Sequence, residues 1–301
     1  MNFELLCSQI RALGIEEGDS VYVRADLGEV INNKQHGATQ KFKPVEAGKA
    51  FIRAIRRVIG ESGTILAPAF TRVFIYPFVD KSYAFDPERT PPITGGLSTL
   101  LLKEPEAKRS CHPVASFVAV GKNADYFLEG HDENALTYLP IKKLIEYRGK
   151  MLLCGCIDSS PGFTTVHLAQ ELLGLSKKSL LGMLMGVFYL KKGERRYFCY
   201  RSMGGCSLGF YKFYSLYNTR HLLASGFIGG ANSICINAEK AFEIEYATLK
   251  ADPRFPLCEN PRCFFCRGSL LYNLKDMPRY YCLVAPKKLA LSVFGRFGRK
   301  P

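Results

Sequence analysis

Apolar positions in the first half of the chain alternate between helical and strand spacing. The segment FELLCSQIRALG, residues 3 to 14, repeats apolar residues every three or four positions and stops at Gly14, which predicts an amphipathic helix. DSVYVRADL (19–27) reads as a strand leading into a polar, glycine-containing loop over 28–43. VEAGKAFIRAIRRVIG (45–60) predicts a helix with a basic outer face, and GTILAPAF (63–70) a buried strand stopped by Pro68. The alternation continues with a helix at GGLSTLLLKE (95–104), a strand at SFVAV (116–120), a helix at LPIKKLIEYRG (139–149) and a strand at KMLLCGC (150–156). Short continuous apolar strands between helices predict an α/β fold whose central sheet is mostly parallel and covered on both faces.

After residue 180 the pattern changes. GVFYLKKGERRYFCYR (186–201) predicts an aromatic-rich hairpin turning at Lys191-Lys192-Gly193-Glu194, so the second half is expected to be more antiparallel. No internal repeat or low-complexity linker divides the chain, and residues 1–284 read as one domain. Residues 285–301, APKKLALSVFGRFGRKP, read as a basic tail, either solvated or in weak contact with an anionic membrane or partner.

Charge narrows the partners. Lys and Arg number 41 against 27 Asp and Glu, a net +14, which favours nucleotides, phosphorylated sugars or acidic surfaces and disfavours a polycationic substrate. The eleven cysteines sit in apolar runs such as MLLCGC, and the N-terminus lacks a basic stretch followed by an apolar run. Reduced thiols in a cytoplasmic protein are the expectation.

The stretch GCIDSSPGFTTVHLAQE, residues 155 to 171, carries the clearest chemistry. It places His167 in the first turn of a helix starting near Thr164, at the sheet edge where ligands bind in open α/β folds. A helix N-terminus disfavours a cation, so the imidazole is expected to be neutral, as a general base must be. Thr164 or Thr165 is the expected cap. Asp158 at the strand end, or Glu171 four residues on, is the expected partner that orients the ring, and the residues alone leave that choice open. The competing reading is a structural histidine satisfied locally.

The order of motifs decides between them. GDSVYVRADLGEV, GTILAPAFT, FDPERTPPITGGLSTLLLKEPEAKRSCHPVASFVAVG, GKMLLCGCIDSSPGFTTVHLAQE and the later MGGCSLGFYKF and GFIGGANSICINAEKAFE together resemble the aminoglycoside 3-N-acetyltransferase family. The resemblance implies a three-layer α/β/α sandwich and acetyl transfer from acetyl-CoA to an amino group on a sugar or cyclitol. In that family the histidine of the T-T-x-H-L-A motif, here His167, is the general base. The resemblance further suggests a cofactor channel lined by Asp26, Leu27, Thr71, His112 and Ser116, with Arg109 and Ser110 meeting CoA phosphates. A structural role for His112, fixing the turn before a strand, stands beside that reading. His36, His131 and His221 read as surface or packing residues.

Two departures bear on activity. The family's Glu three residues after the histidine is Gln170 here, and its His–x–Ser–Leu reads Arg24-Ala25-Asp26-Leu27. A catalytically inactive CoA-binding relative and a basic nucleic-acid-binding protein are the alternatives. The expected partners are acetyl-CoA and an amine-bearing sugar, either an aminoglycoside or a nucleotide- or lipid-linked amino sugar, with a homodimer as an open assembly and no nucleic acid. Finally, LCENPRCFFC spaces Cys258, Cys263 and Cys266 as C-x4-C-x2-C, with Cys282 as a fourth thiol. That spacing suits zinc, but the cysteine-rich background favours unliganded thiols.

Overall fold

The computed structural model describes residues 2–31, 44–75, 78–176, 185–200, 206–261, 263, 265 and 266. In chain order the elements are α1 (Phe3–Ala12), β1 (Ser20–Ala25), α2 (Leu27–Ile31), α3 (Pro44–Ile59), β2 (Thr64–Pro68), β3 (Phe74–Ile75), α4 (Gly96–Leu101), β4 (Lys108–Arg109), β5 (Phe117–Gly121) and α5 (Ala124–Leu128). They continue with α6 (Leu139–Glu146), β6 (Lys150–Cys154), α7 (Thr165–Leu172), β7 (Met185–Lys191), β8 (Glu194–Cys199), α8 (Lys212–Asn218), β9 (Ala224–Ile228), β10 (Ala231–Asn237) and α9 (Ala238–Ala251).

Local sequence accounts for these elements. Asn2 caps α1 by accepting the Leu5 N–H at 3.2 Å, and the helix buries Leu6, Cys7 and Ile10 on one face. In α3, Phe51, Ile52, Ile55 and Val58 face inward while Arg53 and Arg57 stay in water. Part of the expected 28–43 loop is helical instead. Asp26 caps α2 by accepting the Gly28 N–H at 2.9 Å, which lets the chain wind directly off β1. The rest of that loop, 32–43, lies outside the described residues, as does the 285–301 tail.

The strands form a seven-stranded sheet in the order β4-β5-β2-β1-β6-β10-β9. Parallel pairing is confined to its centre, β2-β1-β6. The flanks are antiparallel because β4 and β5 form a hairpin around His112, and β9 and β10 form another through Gly229-Gly230. The sheet is thus mixed, less parallel than the apolar runs suggest, since a buried strand reads alike in either direction.

Two cores cover its faces. Val21 and Val23 of β1 pack with α1, α3 and α4, whereas the intervening Tyr22 packs with α5, α6, α7 and α9 on the other side. The result is the expected three-layer arrangement, with each fully buried Leu, Ile or Phe stabilising it by about 1.5–3 kcal/mol. The hairpin β7-β8 joins β3 in a separate three-stranded sheet and turns at Lys192 (φ +52°) and Gly193 (φ +81°), the left-handed pair a two-residue hairpin requires. Lys191 and Arg195 of this hairpin are engaged within the protein. Lys191 pairs with Asp132 and Glu133, and the Arg195 guanidinium lies 4.2 Å from the Phe188 ring centre. No helix among the described residues is long and apolar enough to cross a membrane.

Candidate active site

The three parallel strands end on the same edge, and a cavity of about 790 Å³ opens there. Arg24, Asp26 and Leu27 line it from the end of β1, Phe70 from beyond β2, Thr94 and Ser98 from the approach to α4 and its first turn, and His167 from α7.

His167 is the third residue of α7 and is half-buried. Its ring lies between Tyr138, stacked at 5.5 Å and 13°, and Phe210, edge-on at 4.8 Å. Nδ1 is 3.1 Å from Gln170 Oε1. An amide oxygen only accepts, so the ring proton is assigned to Nδ1 and the lone pair to Nε2. Nε2 has no hydrogen-bond partner among the described residues. Burial pushes the His167 pKa down to about 4; the Arg24 charge adds to the effect and the Gln170 bond opposes it. The imidazole is therefore neutral near pH 7, with an available basic nitrogen.

The loop before α7 is held in place from β1. Arg24 donates to Gly162 O at 3.0 Å and to Ser160 O at 2.9 Å. Gly162 has φ +78°, and a Cβ there would come within 2.1 Å of Phe210 Cβ, so this glycine lets Phe210 close over the histidine. Thr164 occupies the N-cap position but makes no cap bond. Its hydroxyl instead pairs with Tyr22 OH at 2.9 Å, tying α7 to β1.

Neither carboxylate expected to orient the ring bonds to it. Glu171 turns away, accepting the buried N–H groups of Thr137 (2.8 Å) and Tyr138 (3.2 Å). In that position it fixes the backbone that carries the stacked Tyr138. Asp158 is exposed in the turn after β6 and makes no hydrogen bond to His167. The orienting group in the structure is Gln170, because position i+3 of the first turn projects alongside the histidine.

The expected channel residues divide. Asp26 and Leu27 line the cavity. Thr71 does not, because its hydroxyl is buried and donates to Pro113 O at 2.5 Å. Most polar groups of the RSCHPVASF motif are also turned inward, although Cys111 is exposed. Arg109 donates to Ser116 Oγ at 3.1 Å and Ala69 O at 2.7 Å and lies 5.1 Å from the Phe85 ring centre, with burial pushing its pKa down to about 10. Ser116 Oγ donates to Ala69 O at 2.6 Å, and Ser110 Oγ accepts the Phe117 N–H at 2.8 Å. His112 Nδ1 accepts the Ala115 N–H at 3.0 Å, and the ring stacks on buried His131 at 4.9 Å. These residues bind the β4–β5 turn to the end of β2 and shape the cavity from behind. Arg109 edges a second cavity of about 990 Å³ that shares Thr99 and Lys103 with the first and carries Arg89 and Lys108.

Tyr138, Phe210, Thr94 and Ser98 are the site residues that sequence reasoning did not single out. Nothing in their local spacing marks them: Thr94 and Ser98 line the cavity, whereas Tyr138 and Phe210 act through long-range contacts with the His167 ring.

The family model described as aminoglycoside 3-N-acetyltransferase matches residues 36–250. An aminoglycoside N(3)-acetyltransferase III of Serratia marcescens is 30% identical over 192 residues, 58% of this chain and 66% of that enzyme. One from Salmonella is 30% identical over 56% of this chain and 60% of the enzyme. This chain thus spans less than two thirds of these curated relatives. The Bacillus subtilis SPbeta prophage-derived aminoglycoside N(3')-acetyltransferase-like protein YokD is 27% identical over 75% of this chain and 84% of its own length. The solved apoenzyme of aminoglycoside acetyltransferase AAC(3)-IVa superposes with a TM-score of 0.72 at 22% identity, covering 89% of this chain and 96% of the other. AAC-IIIb bound to CoASH gives a TM-score of 0.65 at 22% identity, covering 83% and 97%. These superpositions establish a common fold.

Proposed function

The chain belongs to the aminoglycoside 3-N-acetyltransferase family, and from that membership we propose that it transfers an acetyl group from acetyl-CoA to an amino group of an aminoglycoside or a related amino sugar. The observation that carries the reading is His167 itself. The residue lines the cavity, and Gln170 holds its Nδ1, which leaves Nε2 as the basic nitrogen. An acceptor amine beside Nε2 attacks the thioester carbonyl carbon, forming the new C–N bond. His167 takes the proton lost by nitrogen, the C–S bond breaks, and the proton passes on to the departing CoA sulfur or to water. A positioned base of this kind contributes about 10²–10⁴-fold.

Two relatives suggest how the ligands divide the space. AAC-IIIb holds CoASH and AAC-VIa holds sisomicin in their solved structures. In this chain the second cavity, with Arg89, Lys103 and Lys108, supplies the positive charge that CoA phosphates need. The pantetheine arm then runs past Thr99 and Lys103, which the two cavities share, toward His167. Asp26 is the single carboxylate among the described residues of the first cavity and suits an ammonium group of the acceptor. Because Arg24 and Lys103 outnumber it and the chain carries a net +14, an acidic, nucleotide-linked amino sugar is the second acceptor reading. Free thiols at the described cysteines fit a cytoplasmic enzyme.

Mass spectrometry of reactions with acetyl-CoA and three acceptor groups tests the proposal: 2-deoxystreptamine aminoglycosides, free amino sugars and nucleotide-linked amino sugars. Acetylation of one group names the acceptor class. No acetylation together with no acetyl-CoA binding would rule the reading out.

A further inference from the structure

We propose that Cys206, Cys258, Cys263 and Cys266 form a tetrahedral zinc site that fastens the Phe210 side of the active-site cavity to the segment after α9. The four Sγ atoms lie within 4.8 Å of one another. Tetrahedral zinc with Zn–S bonds of about 2.3 Å holds its sulfurs roughly 3.8 Å apart, so a modest contraction seats the ion. The spacing of Cys258, Cys263 and Cys266 points to such a site, and Cys282, the fourth thiol expected from sequence, lies outside the described residues. The fold instead brings in Cys206 from the other side of α8 and α9.

The surroundings are those of a thiolate site. The Leu208 N–H donates to Cys206 Sγ at 3.4 Å and the Cys258 N–H to Cys266 Sγ at 3.5 Å. Backbone donors of this kind stabilise charge on ligating sulfur. Leu257 is buried in one apolar cluster with Cys258 and Cys266, on which the partly buried Cys206 and Cys263 pack, and the four are free thiols rather than disulfides. An all-sulfur tetrahedron selects a soft ion over magnesium or calcium. Binding exchanges the four thiol protons for one Zn²⁺, leaving a net charge of −2 on the centre.

The site's position gives it consequence. Cys206 is followed by Ser207, which lines the active-site cavity, and by Phe210, which packs on His167. This loop already runs close against the later segment. A Cβ on Gly209 would lie 2.4 Å from Pro256 O, and Lys212 Nζ donates to Leu257 O at 2.7 Å. The metal would add a coordination clamp to a contact already made by this backbone packing and by Phe213 against Phe255, whose ring centres are 4.9 Å apart.

The test uses the full-length protein purified under reducing conditions without chelator. Elemental analysis is expected to give about one zinc per chain, released when a mercurial titrates the thiols. Replacement by Co²⁺ is expected to give the visible bands of tetrahedral thiolate coordination. Cys206→Ser and, separately, Cys263→Ser should weaken metal retention or change those bands. Amide exchange at Leu208 and Cys258 should quicken at least tenfold on zinc removal. Four free thiols that take up no zinc, two disulfides, or iron in place of zinc would each overturn the site. Bound zinc with unchanged exchange at both amides would overturn the clamp. None of these readouts depends on acetyl transfer, so failure here and failure of the acetyltransferase reading are distinguishable.

Discussion

Gln170 Oε1 sits 3.1 Å from Nδ1 of His167, where the family pattern has a carboxylate. An amide sets the same tautomer as a carboxylate but supplies no negative charge to stabilise an imidazolium. That difference, added to burial and to Arg24, explains a histidine whose pKa falls to about 4.

Gln170→Glu is therefore expected to raise the His167 pKa by roughly one to three pH units, the usual effect of a nearby opposite charge. NMR titration of the imidazole and the acid limb of kcat/KM should move upward together. In the wild-type enzyme the imidazole should titrate near pH 4 rather than near 6.5. A limb unmoved by the substitution would mean that Gln170 does not contact the ring in solution.

Glu171→Ala should act on stability rather than on the base. It leaves two buried N–H groups, those of Thr137 and Tyr138, without their acceptor. A loss of about 2–4 kcal/mol in urea unfolding is expected, with the acid limb of kcat/KM in place. Movement of that limb at unchanged stability would restore Glu171 as the orienting residue.

Arg109→Lys separates the two readings of the RSCHPVASF motif. Lysine cannot reproduce the fork that joins Ser116, Thr90 and Ala69. Unfolding free energy should fall by about 2–4 kcal/mol while the CoA dissociation constant changes less than threefold. A large loss of CoA affinity in a normally stable variant would place Arg109 on the phosphates.

Glu245 governs a pH dependence of the fold. Its side chain is fully buried and receives the Tyr217 hydroxyl, and burial raises its pKa to about 8. The folded state thus favours the protonated form. Its contribution is complete below the ordinary value of 4.5 and is lost as pH rises through about 8. Glu245→Gln should flatten the decline in unfolding free energy between those limits, as measured by denaturant titration at several pH values. Equal slopes in the two proteins would show that the carboxyl ionises freely.

The helices and strands were readable because their apolar periodicity is local, and so was the placement of His167 in the first turn after a glycine-containing loop. Its surroundings were not. Tyr138 precedes it by a whole strand, Phe210 follows by a hairpin, and the Tyr22–Thr164 bond spans 142 residues. Residue type also does not reveal which way a turn faces, so Thr71, Ser110 and His112 resembled channel residues while their polar atoms were satisfied inside the protein. Cys206 escaped for the same reason as Phe210, since only folding brings it to Cys258.

The most direct test of the central claim is a single-turnover measurement of acetyl transfer by wild-type protein and His167→Ala, each saturated with acetyl-CoA and an accepted amine. Alanine leaves the cavity open, so CoA affinity should be preserved while the rate of transfer falls about 10²–10⁴-fold, with the loss shrinking as rising pH deprotonates the free amine. A variant that binds acetyl-CoA and transfers acetyl at the wild-type rate would contradict the assignment of His167 as the base.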